Sequence, residues 1–336
     1  MRYKMQINQE NKMKHVQYNS VKKVMTLEGH PEIKGYDFEK GLNFPEFLKA
    51  YSLTGFQGSH LAEGIEIVKA MRREKAKIFL SFTSNQMSSG NREVIKYLVK
   101  NKKVDVLVTS AGGVEEDIIK CLRPFVMGKF DVSGRMLFEN GINRTGNIFV
   151  PNDRFVLFDD FMQKFFDRIY QIQKEKNKVF CPKDLIKELG LEINNPNSVL
   201  YWAAKNDIPV FCPGIIDGSL GDLIFFFKQS HPDFLLDVSQ EMKEIVQLVL
   251  NSEKTGGILL GGGISKHFTL NANIFKEGLD FAVYINTAEE YDGSDSGARI
   301  EEAITWGKVK VNAPSVKIHC DATIAFPLLV AGSFLD

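Results

Sequence analysis

The sequence lacks several features that would assign it to a specialised class. Its 42 basic and 42 acidic residues cancel, which argues against nucleic-acid binding over the whole surface. No run of about 18 apolar residues occurs and the first residues contain no apolar signal core, so neither a membrane span nor secretion is expected. Its four cysteines (Cys121, Cys181, Cys212 and Cys320) include no CxxC pair, and its six histidines have no metal-ligand spacing with them. These absences predict a reduced, metal-free cytoplasmic protein.

What the chain does contain predicts one large domain. Hydrophobic residues make up 44% of its 336 residues, enough to bury a sizeable core. Residues 1–24 are polar, with six basic residues against one acidic residue, so we predict a basic N-terminal arm there and a single domain over residues 25–336. A frayed, solvated terminus is the alternative for the arm. No linker rich in Pro, Gly or Ser marks a second domain.

One kind of unit recurs six times along the domain: a short apolar run, then small or polar residues, then a segment with helical spacing. The runs are AKIFLSF, VDVLVT, IPVFCPG, GGILLGGG, FAVYINTA and VKIHC. Strands that are apolar throughout are typical of parallel sheets covered on both faces. The sequence therefore predicts an α/β fold, a single large Rossmann-like domain with a central, mostly parallel six-stranded sheet between helices. Residues 139–155 are predicted to form a hairpin-like excursion from it.

The loops after these runs carry the candidate chemistry, because ligands of such sheets bind outside the carboxyl ends of the strands. The segments TSAGG (109–113) and LGGGIS (260–265) let a pyrophosphate approach backbone N–H groups at a helix start. Neither segment is a GxGxxG motif after the first strand, so a simple tight turn remains an alternative for each.

Eight acidic residues fall on or just after the same loops. Converging carboxylates repel one another unless a cation neutralises them. Because no metal motif is present, an organic polycation is the favoured ligand, and Trp306 offers a face for a cation–π contact. Solvated helix caps are the alternative for any one of these acids. The eight are Glu115, Glu116, Asp217, Asp222, Asp292, Asp295, Glu302 and Asp321.

Two further side chains are candidates for catalysis. His267 is predicted to open the helix after the second glycine cluster, as a proton carrier or an anchor for an amine, with a structural histidine as the alternative. Lys308 follows Trp306 and Gly307, and Gly is a residue type that ends helices. An amine attacks a carbonyl or imine carbon only when unprotonated, and burial lowers the pKa of an amine. Burial is not visible in the sequence, so an ordinary surface lysine stays open.

Long stretches of the chain closely resemble deoxyhypusine synthase, from about residue 40 to residue 332. The most specific of them is EYDGSDSGARIEEAITWGK, which ends at Lys308. The others are TSNQMSSGNRE, VDVLVTSAGGVEEDIIKCL, ENGINRTGNIFVPND, YWAAKNDIPVFCPGIIDGSLGD, LGGGISKH and DATIAFPLLVA. The chain departs from the family pattern at Phe268, where many relatives have a second histidine, and at His319 and Cys320.

The resemblance implies an activity and partners. It implies an NAD-dependent transferase that moves the 4-aminobutyl group of spermidine to one lysine of the translation initiation factor 5A precursor, with release of 1,3-diaminopropane. The lysine of the WGK motif, Lys308, would be the covalent nucleophile. The resemblance also implies a homotetramer with active sites at a dimer interface, and an N-terminal segment that covers a neighbouring subunit's active-site entrance.

The resemblance carries site residues over to matching positions. Lys308 and His267 would be catalytic. The NAD site would comprise Ser84, Asn85, Gln86, Met87, Ser88, Ser110, Ala111, Gly112, Glu116, Asp217, Gly262, Thr287, Ala288, Asp321 and Ala322. The polyamine site would comprise Glu115, Glu116, Asp222, His267, Gly293, Ser294, Asp295, Glu302, Trp306 and Lys308.

Three other functions stay open at this level. A homospermidine synthase-like enzyme would use the same NAD, imine and lysine chemistry but deliver the aminobutyl group to a small amine. A catalytically silent paralogue would keep the fold and only regulate an active partner subunit. A generic NAD-dependent dehydrogenase is the third.

Overall fold

The computed structural model describes residue 27 and residues 29–335. The fold of this part of the chain is organised around a central parallel sheet. The strands are β1 (Lys77–Phe82), β2 (Val106–Val108), β3 (Val126–Met127), β4 (Ile142–Thr145), β5 (Ile148–Pro151), β6 (Val210–Phe211), β7 (Thr255–Leu260), β8 (Phe281–Asn286) and β9 (Ser315–His319). The α-helices are α1 (Phe44–Ala50), α2 (Phe56–Arg73), α3 (Asn85–Ser88), α4 (Asn91–Lys100), α5 (Ala111–Leu122), α6 (Gly134–Glu139), α7 (Asp153–Lys176), α8 (Pro182–Ile193), α9 (Val199–Asn206), α10 (Ser219–Ser230), α11 (Ser239–Leu250), α12 (Gly263–Asn273), α13 (Ile300–Thr305) and α14 (Ala322–Phe334). Short 3₁₀ helices span Phe38–Lys40, Tyr51–Leu53 and Ile274–Lys276.

The sheet has six strands in the order β6-β2-β1-β7-β8-β9, and all of its pairs are parallel. Each of the six predicted apolar runs supplies one strand, so the predicted α/β fold is confirmed. From β1 the chain adds β2 and then β6 on one side of the sheet, and from β7 it adds β8 and then β9 on the other side. The strand order therefore reverses between β1 and β7, and a crevice at the carboxyl ends of these two strands is the expected ligand site.

Both faces of the sheet are covered, as the apolar strands predict. Along β1, Ile78 and Leu80 lie in one core cluster and Phe79 lies in another on the opposite face. Along β8, Val283 and Tyr284 divide between the faces in the same way. Helices α2 and α14 pack on one face and α12 packs on the other. Alternating side chains thus bury the strands from both sides.

The predicted excursion is a small antiparallel sheet. Strands β4 and β5 form a hairpin, and β3 pairs with the other edge of β5. Gly146 has a positive φ of 57° in the turn between β4 and β5, a conformation that glycine adopts without strain. The prediction of a hairpin within residues 139–155 is confirmed.

The described residues from Gly35 onward form one compact unit. The predicted basic arm, residues 1–24, lies outside the described residues, and so does its suggested role at a neighbouring entrance; both stay predictions. Within residue 27 and residues 29–335, no helix is both long enough and apolar enough to cross a bilayer.

Candidate active site

Two loops meet at the point where the strand order reverses. The loop after β1 begins at Thr83, whose N–H donates to the Leu260 carbonyl at the end of β7 (3.3 Å). Gly261 follows with φ +82°, and a Cβ there would lie 2.6 Å from the Thr83 hydroxyl oxygen. Only glycine allows this approach, so part of the second glycine cluster is there to let the two loops touch.

Small residues also bring the next loops together. A Cβ on Gly112 would lie 2.8 Å from the Cβ of Ser84, and a Cβ on Gly262 would lie 2.5 Å from the Cα of Ser296. Helix α5 starts at Ala111, and the Ser110 side chain does not cap its first turn. Uncapped N–H groups at the start of a twelve-residue helix, next to loops rich in small residues, suit an anionic group such as a pyrophosphate. The local structure fits a dinucleotide.

Predicted cofactor residues from three parts of the chain gather beside this crevice. Gln86 and Ser88 are buried in α3. The Ser88 hydroxyl donates to Glu116 of α5. The amide of Asn91 donates to the Gln86 side chain (2.7 Å) and to the Ala322 carbonyl (3.0 Å), which joins α3 to the first residue of α14. The fold thus assembles one site from segments that are distant in sequence.

Lys120 is a contributor that the sequence did not indicate. Its ammonium group donates to the carbonyls of Met87 (2.8 Å), Ser88 (3.1 Å) and Ser89 (3.1 Å), and so caps the end of α3. A lysine four residues after Glu116 on an amphipathic helix looks like a solvent-facing residue, so no signal in the sequence distinguishes it.

Four of the predicted acids do converge. Glu115 is 5% exposed, and its Oε1 accepts the N–H of Leu220 at the start of α10 (2.7 Å). Burial raises the pKa of Glu115, and the charges of Asp222 and Asp217 raise it further. Glu116, the next residue, is also affected by the charge of Glu115. The four carboxyl groups form an acidic cluster that would hold a polycation, although the bond to Leu220 also gives Glu115 a structural role.

Glu116 gives the site a pH-dependent group. Burial raises its pKa from an ordinary 4.5 to about 7, while the Ser88 hydroxyl and Lys120 oppose the increase. The folded state therefore binds this proton more tightly than the unfolded state does. The associated stability is complete below about pH 4.5 and is lost as the pH rises through about 7.

We expect Glu116→Gln to flatten the pH dependence of stability. Between about pH 5.5 and pH 7.5 the wild-type carboxyl group costs roughly 2 kcal/mol of unfolding free energy, and glutamine does not titrate. Urea unfolding at the two pH values measures the difference. Glu175→Gln, on the exposed part of α7, is the control and should keep the wild-type slope. An unchanged slope in Glu116→Gln would contradict the prediction.

Lys308 is held by the end of α13. Gly307 has φ +67°, its N–H donates to the Ile304 carbonyl (2.9 Å), and the Lys308 N–H donates to the Ala303 carbonyl (2.9 Å). This pair of bonds is a Schellman motif, so the prediction that Gly307 ends the helix is confirmed. The Lys308 carbonyl accepts the N–H of Leu279 just before β8 (3.0 Å). The backbone of Lys308 is therefore fixed on both sides.

The Lys308 side chain is buried. The residue is 8% exposed, and its amine lies 5.7 Å from the centroid of the Trp306 ring, which is itself 65% exposed. The surface-lysine alternative is wrong. Burial is one property that a reacting lysine needs, because desolvation disfavours the charged ammonium form.

Other charged residues of the predicted polyamine site surround the same region. Lys266, one turn into α12, is 2% exposed. Burial lowers the pKa of Lys266, Asp295 and Glu302 oppose the decrease, and Lys308 contributes to it. The structure thus places Asp295, Glu302 and Lys308 around one buried lysine that was not predicted.

His267 lies elsewhere in its helix than the sequence suggested. Helix α12 begins at Gly263, so His267 is inside the helix rather than opening it, and its side chain is exposed. The start of α12 contacts the loop that carries Asp217: a Cβ on Gly214 would lie 3.2 Å from Ile264. His267 is therefore accessible from solvent on a helix that also carries Lys266, which has Lys308 among its charged neighbours.

Two predicted acids serve local structure. Asp321 caps α14 and accepts the N–H (2.7 Å) and the hydroxyl (2.6 Å) of Thr323. Asp292 accepts the N–H of Ser294 (2.8 Å) within its turn. The cap alternative applies to Asp321, which still adjoins Ala322 at the cofactor loops, whereas Asp292 accepts a bond within a turn and caps no helix. In the part of the chain that the structure describes, no group of three His, Cys, Asp or Glu side chains is placed to hold a metal ion.

We expect Gly307→Ala to displace Lys308. A Cβ at this position meets open space, but φ +67° costs an alanine about 1–2 kcal/mol of strain. The helix end should shift, lower the melting temperature and reduce turnover ~10-fold or more, because small displacements of a reacting group are costly. Melting curves and steady-state rates test this.

Gly134→Ala is the matched control for this substitution. Gly134 also has open space around its Cβ position, but its φ is not positive. The control should therefore keep wild-type stability and rate. Equal behaviour of the two variants would contradict the role of Gly307.

Comparison with known proteins covers nearly the whole chain. The deoxyhypusine synthase family profile matches residues 46–333. A deoxyhypusine synthase of Senecio vernalis is 47% identical over 98% of this chain and 96% of its own. Homospermidine synthase 2 of the same plant is also 47% identical, over 94% of this chain and 93% of its own. A crystal structure from Entamoeba histolytica, assigned as a deoxyhypusine synthase, is 31% identical with a TM-score of 0.65 over 90% of this chain and 97% of its own.

Proposed function

Because the chain belongs to the deoxyhypusine synthase family and is therefore an enzyme of the transferase class, we propose that it transfers the 4-aminobutyl group of spermidine. The acceptor is one lysine of the translation initiation factor 5A precursor, the by-product is 1,3-diaminopropane, and NAD is the cofactor. The enzyme works in the cytoplasm.

The observation that carries this proposal is the burial of Lys308. The residue is 8% exposed and its amine lies beside the Trp306 ring, and the buried Lys266 has Lys308, Asp295 and Glu302 among its charged neighbours. Carboxylates next to a reacting amine hold a cationic substrate and balance the charge of an iminium intermediate.

Lys308 acts in two imine exchanges. Its amine adds to the imine carbon of oxidised spermidine, the C–N bond to 1,3-diaminopropane breaks, and that amine leaves with a proton. The aminobutyl group is then attached to Lys308 through an imine. The acceptor lysine repeats the exchange and frees Lys308, which divides one difficult transfer into two easier steps. His267, accessible on α12, moves protons between the incoming and leaving amines.

The resemblance supplies the cofactor residues, and the loops after β1 and β7 carry several of them. The start of α5 at Ser110–Gly112 and the Gly262 turn would accept the pyrophosphate. The Ser84–Ser88 segment, with Glu116, Asp217, Thr287, Ala288, Asp321 and Ala322, would surround the rest. A bound NAD would supply the hydride acceptor for the polyamine carbon beside the secondary amine, and the same hydride would be returned at the end, so the cofactor would not be consumed.

The polyamine is held by opposite charge at its ends. Glu115, Glu116 and Asp222 in the acidic cluster bind one cationic end, and Gly293, Ser294 and Asp295 together with Glu302 bind near Lys308. Carboxylates together with an exposed aromatic ring suit a flexible chain of methylene groups with ammonium groups.

The enzyme is a homotetramer with active sites at a dimer interface. Large apolar side chains beside the site residues support this: Trp306 is 65% exposed, Tyr291 84% and Ile216 66%. Exposed apolar surface next to a reacting lysine is covered in a working enzyme, since the imine must be kept from water.

A homospermidine synthase-like activity is the second candidate, because the chain is as similar to one such enzyme as to a deoxyhypusine synthase. The two differ only in the acceptor amine. Spermidine labelled in its aminobutyl group, offered with NAD, purified factor precursor and putrescine in competition, separates them.

We expect the label to reach the protein acceptor. Label in homospermidine instead would favour the second candidate. Absence of 1,3-diaminopropane would favour a silent paralogue, and net accumulation of NADH would favour a simple dehydrogenase.

A further inference from the structure

A long segment without regular secondary structure, residues 287–299, connects β8 to α13. It carries Thr287, Ala288 and Gly293–Asp295 of the predicted sites. A loop of this length inside a packed domain is usually functional, and its backbone has no strand pairing or helical hydrogen bonds to fix its course. Side chains from elsewhere must therefore hold its carbonyl groups.

Lys266 holds the second half of this loop. Its ammonium group donates to the carbonyl of Asp295 and to that of Ala298 (3.3 Å), and it lies 4.9 Å from the centroid of the Tyr284 ring. The side chain is 2% exposed. A lysine so deeply buried has a large desolvation cost, which its carbonyl bonds and the aromatic face partly offset.

Lys317 holds the loop from the neighbouring strand β9. Its ammonium group donates to the carbonyls of Ala288 (2.9 Å) and Gly297 (2.7 Å). Burial lowers the pKa of Lys317, and Glu289 and Glu290 oppose the decrease. Lys266 and Lys317, the lysine clamp, thus bind carbonyl groups at both ends of the loop.

The loop packs tightly between the two lysines. A Cβ on Gly297 would lie 1.6 Å from the Glu289 carbonyl oxygen, so the loop closes on itself there. The Gly263 N–H donates to the Ser296 hydroxyl (3.1 Å), which ties the loop to the glycine turn after β7. The loop therefore has one well-defined path, and the clamp maintains it.

The path of the loop decides where a carboxylate points. Asp295 Oδ2 is buried and, among the described residues, has no hydrogen-bond partner. The other groups near Lys266 are Glu302, Lys308 and Lys317. A buried carboxylate oxygen that the protein leaves unpaired beside a reacting lysine is an acceptor for a ligand's ammonium group.

We propose that Lys266 and Lys317 are positioning residues for the transfer reaction, holding residues 288–298 so that Asp295 faces the polyamine beside Lys308. This inference rests on the proposed function. Their acceptors are backbone carbonyls, so they act on the geometry of the loop and take no part in bond making.

The test combines Lys266→Met and Lys317→Met with hydrogen exchange and steady-state kinetics. Methionine keeps the length and apolar character of the stem but cannot donate. We expect exchange in residues 288–298 to accelerate ~10-fold or more while α12 and β9 stay protected. The KM for spermidine should rise ~10-fold or more, with a smaller decrease in kcat.

Lys276→Met is the matched control. Lys276 is also partly buried and donates to a backbone carbonyl, that of Glu253, outside the loop. It should leave exchange in the loop and the KM unchanged. Lys317 is the less buried member of the clamp, so Lys317→Met carries the test if Lys266→Met does not fold.

The proposal would be overturned if hydrogen exchange in residues 288–298 were unchanged in both variants. It would also be overturned if hydrogen exchange accelerated equally in α12 and β9. A KM that stays at the wild-type value would also overturn it. If the wild-type protein released no 1,3-diaminopropane from spermidine, the proposed function would fall, and the exchange measurement would still decide whether the lysines hold the loop.

Discussion

Lys308→Arg is expected to abolish the covalent intermediate and to lower aminobutyl transfer by at least ~10³-fold. Arginine retains the positive charge but stays protonated, so it has no free electron pair to attack an imine carbon. The buried position beside Trp306 excludes a substitute nucleophile from bulk solvent. The measurement is borohydride reduction in the presence of NAD and labelled spermidine, followed by peptide mapping of the label.

Lys310→Arg is the control for this experiment. Lys310 lies two residues further on, is partly buried, and pairs with Asp280 at 2.7 Å. The control should trap the adduct on Lys308 at the wild-type level. A labelled adduct in Lys308→Arg, with Lys266 as the neighbouring buried amine, would show that Lys308 is not the nucleophile.

Removing two charges from the acidic cluster should have the second largest effect, a rise of ~10²-fold in the KM for spermidine. Asp222→Asn with Glu115→Gln deletes two carboxylates that face a polycation. Glutamine at position 115 still accepts the Leu220 N–H, so the start of α10 should be retained. Initial rates over a range of spermidine concentrations give the KM, and a titration with NAD alone should give the wild-type affinity.

Glu139→Gln, on the exposed helix α6, is the control for loss of charge alone. It removes one carboxylate far along the chain from the cluster and should leave the KM unchanged. A double variant that keeps the wild-type KM, or one that loses NAD and spermidine binding equally, would contradict the assignment of the cluster to the polyamine.

The elements of the fold could be predicted because each depends on local pattern. Strands β1 and β8 are apolar on both faces, and that pattern alone requires helices above and below them. The glycine turns before α5 and α12, and the helix end at Gly307, follow from residue types whose backbone preferences are intrinsic. The resemblance to deoxyhypusine synthase assigned roles to the site residues, which the pattern of strands and turns could not do.

How the residues of the site come together was harder to predict from the sequence. Lys120, Lys266 and Lys317 occur in segments whose periodicity predicts only solvated or neutral positions, yet each binds backbone carbonyls in a buried or partly buried position. Their role depends on which loop passes over them, which is a matter of contacts between residues far apart in the chain. The start of α12 was misplaced for a related reason, since Gly262 and Gly263 are held by Ser296 from another loop.

The sequence by itself determined the class of fold, the positions of the six parallel strands and the family, because apolar runs, glycine turns and long motifs are properties of contiguous residues. Only the tertiary structure decided the strand order, the burial of Lys308 and the convergence of Glu115 with Asp222. These depend on desolvation and on charges brought close through space, and no stretch of sequence encodes the distance between two of its parts.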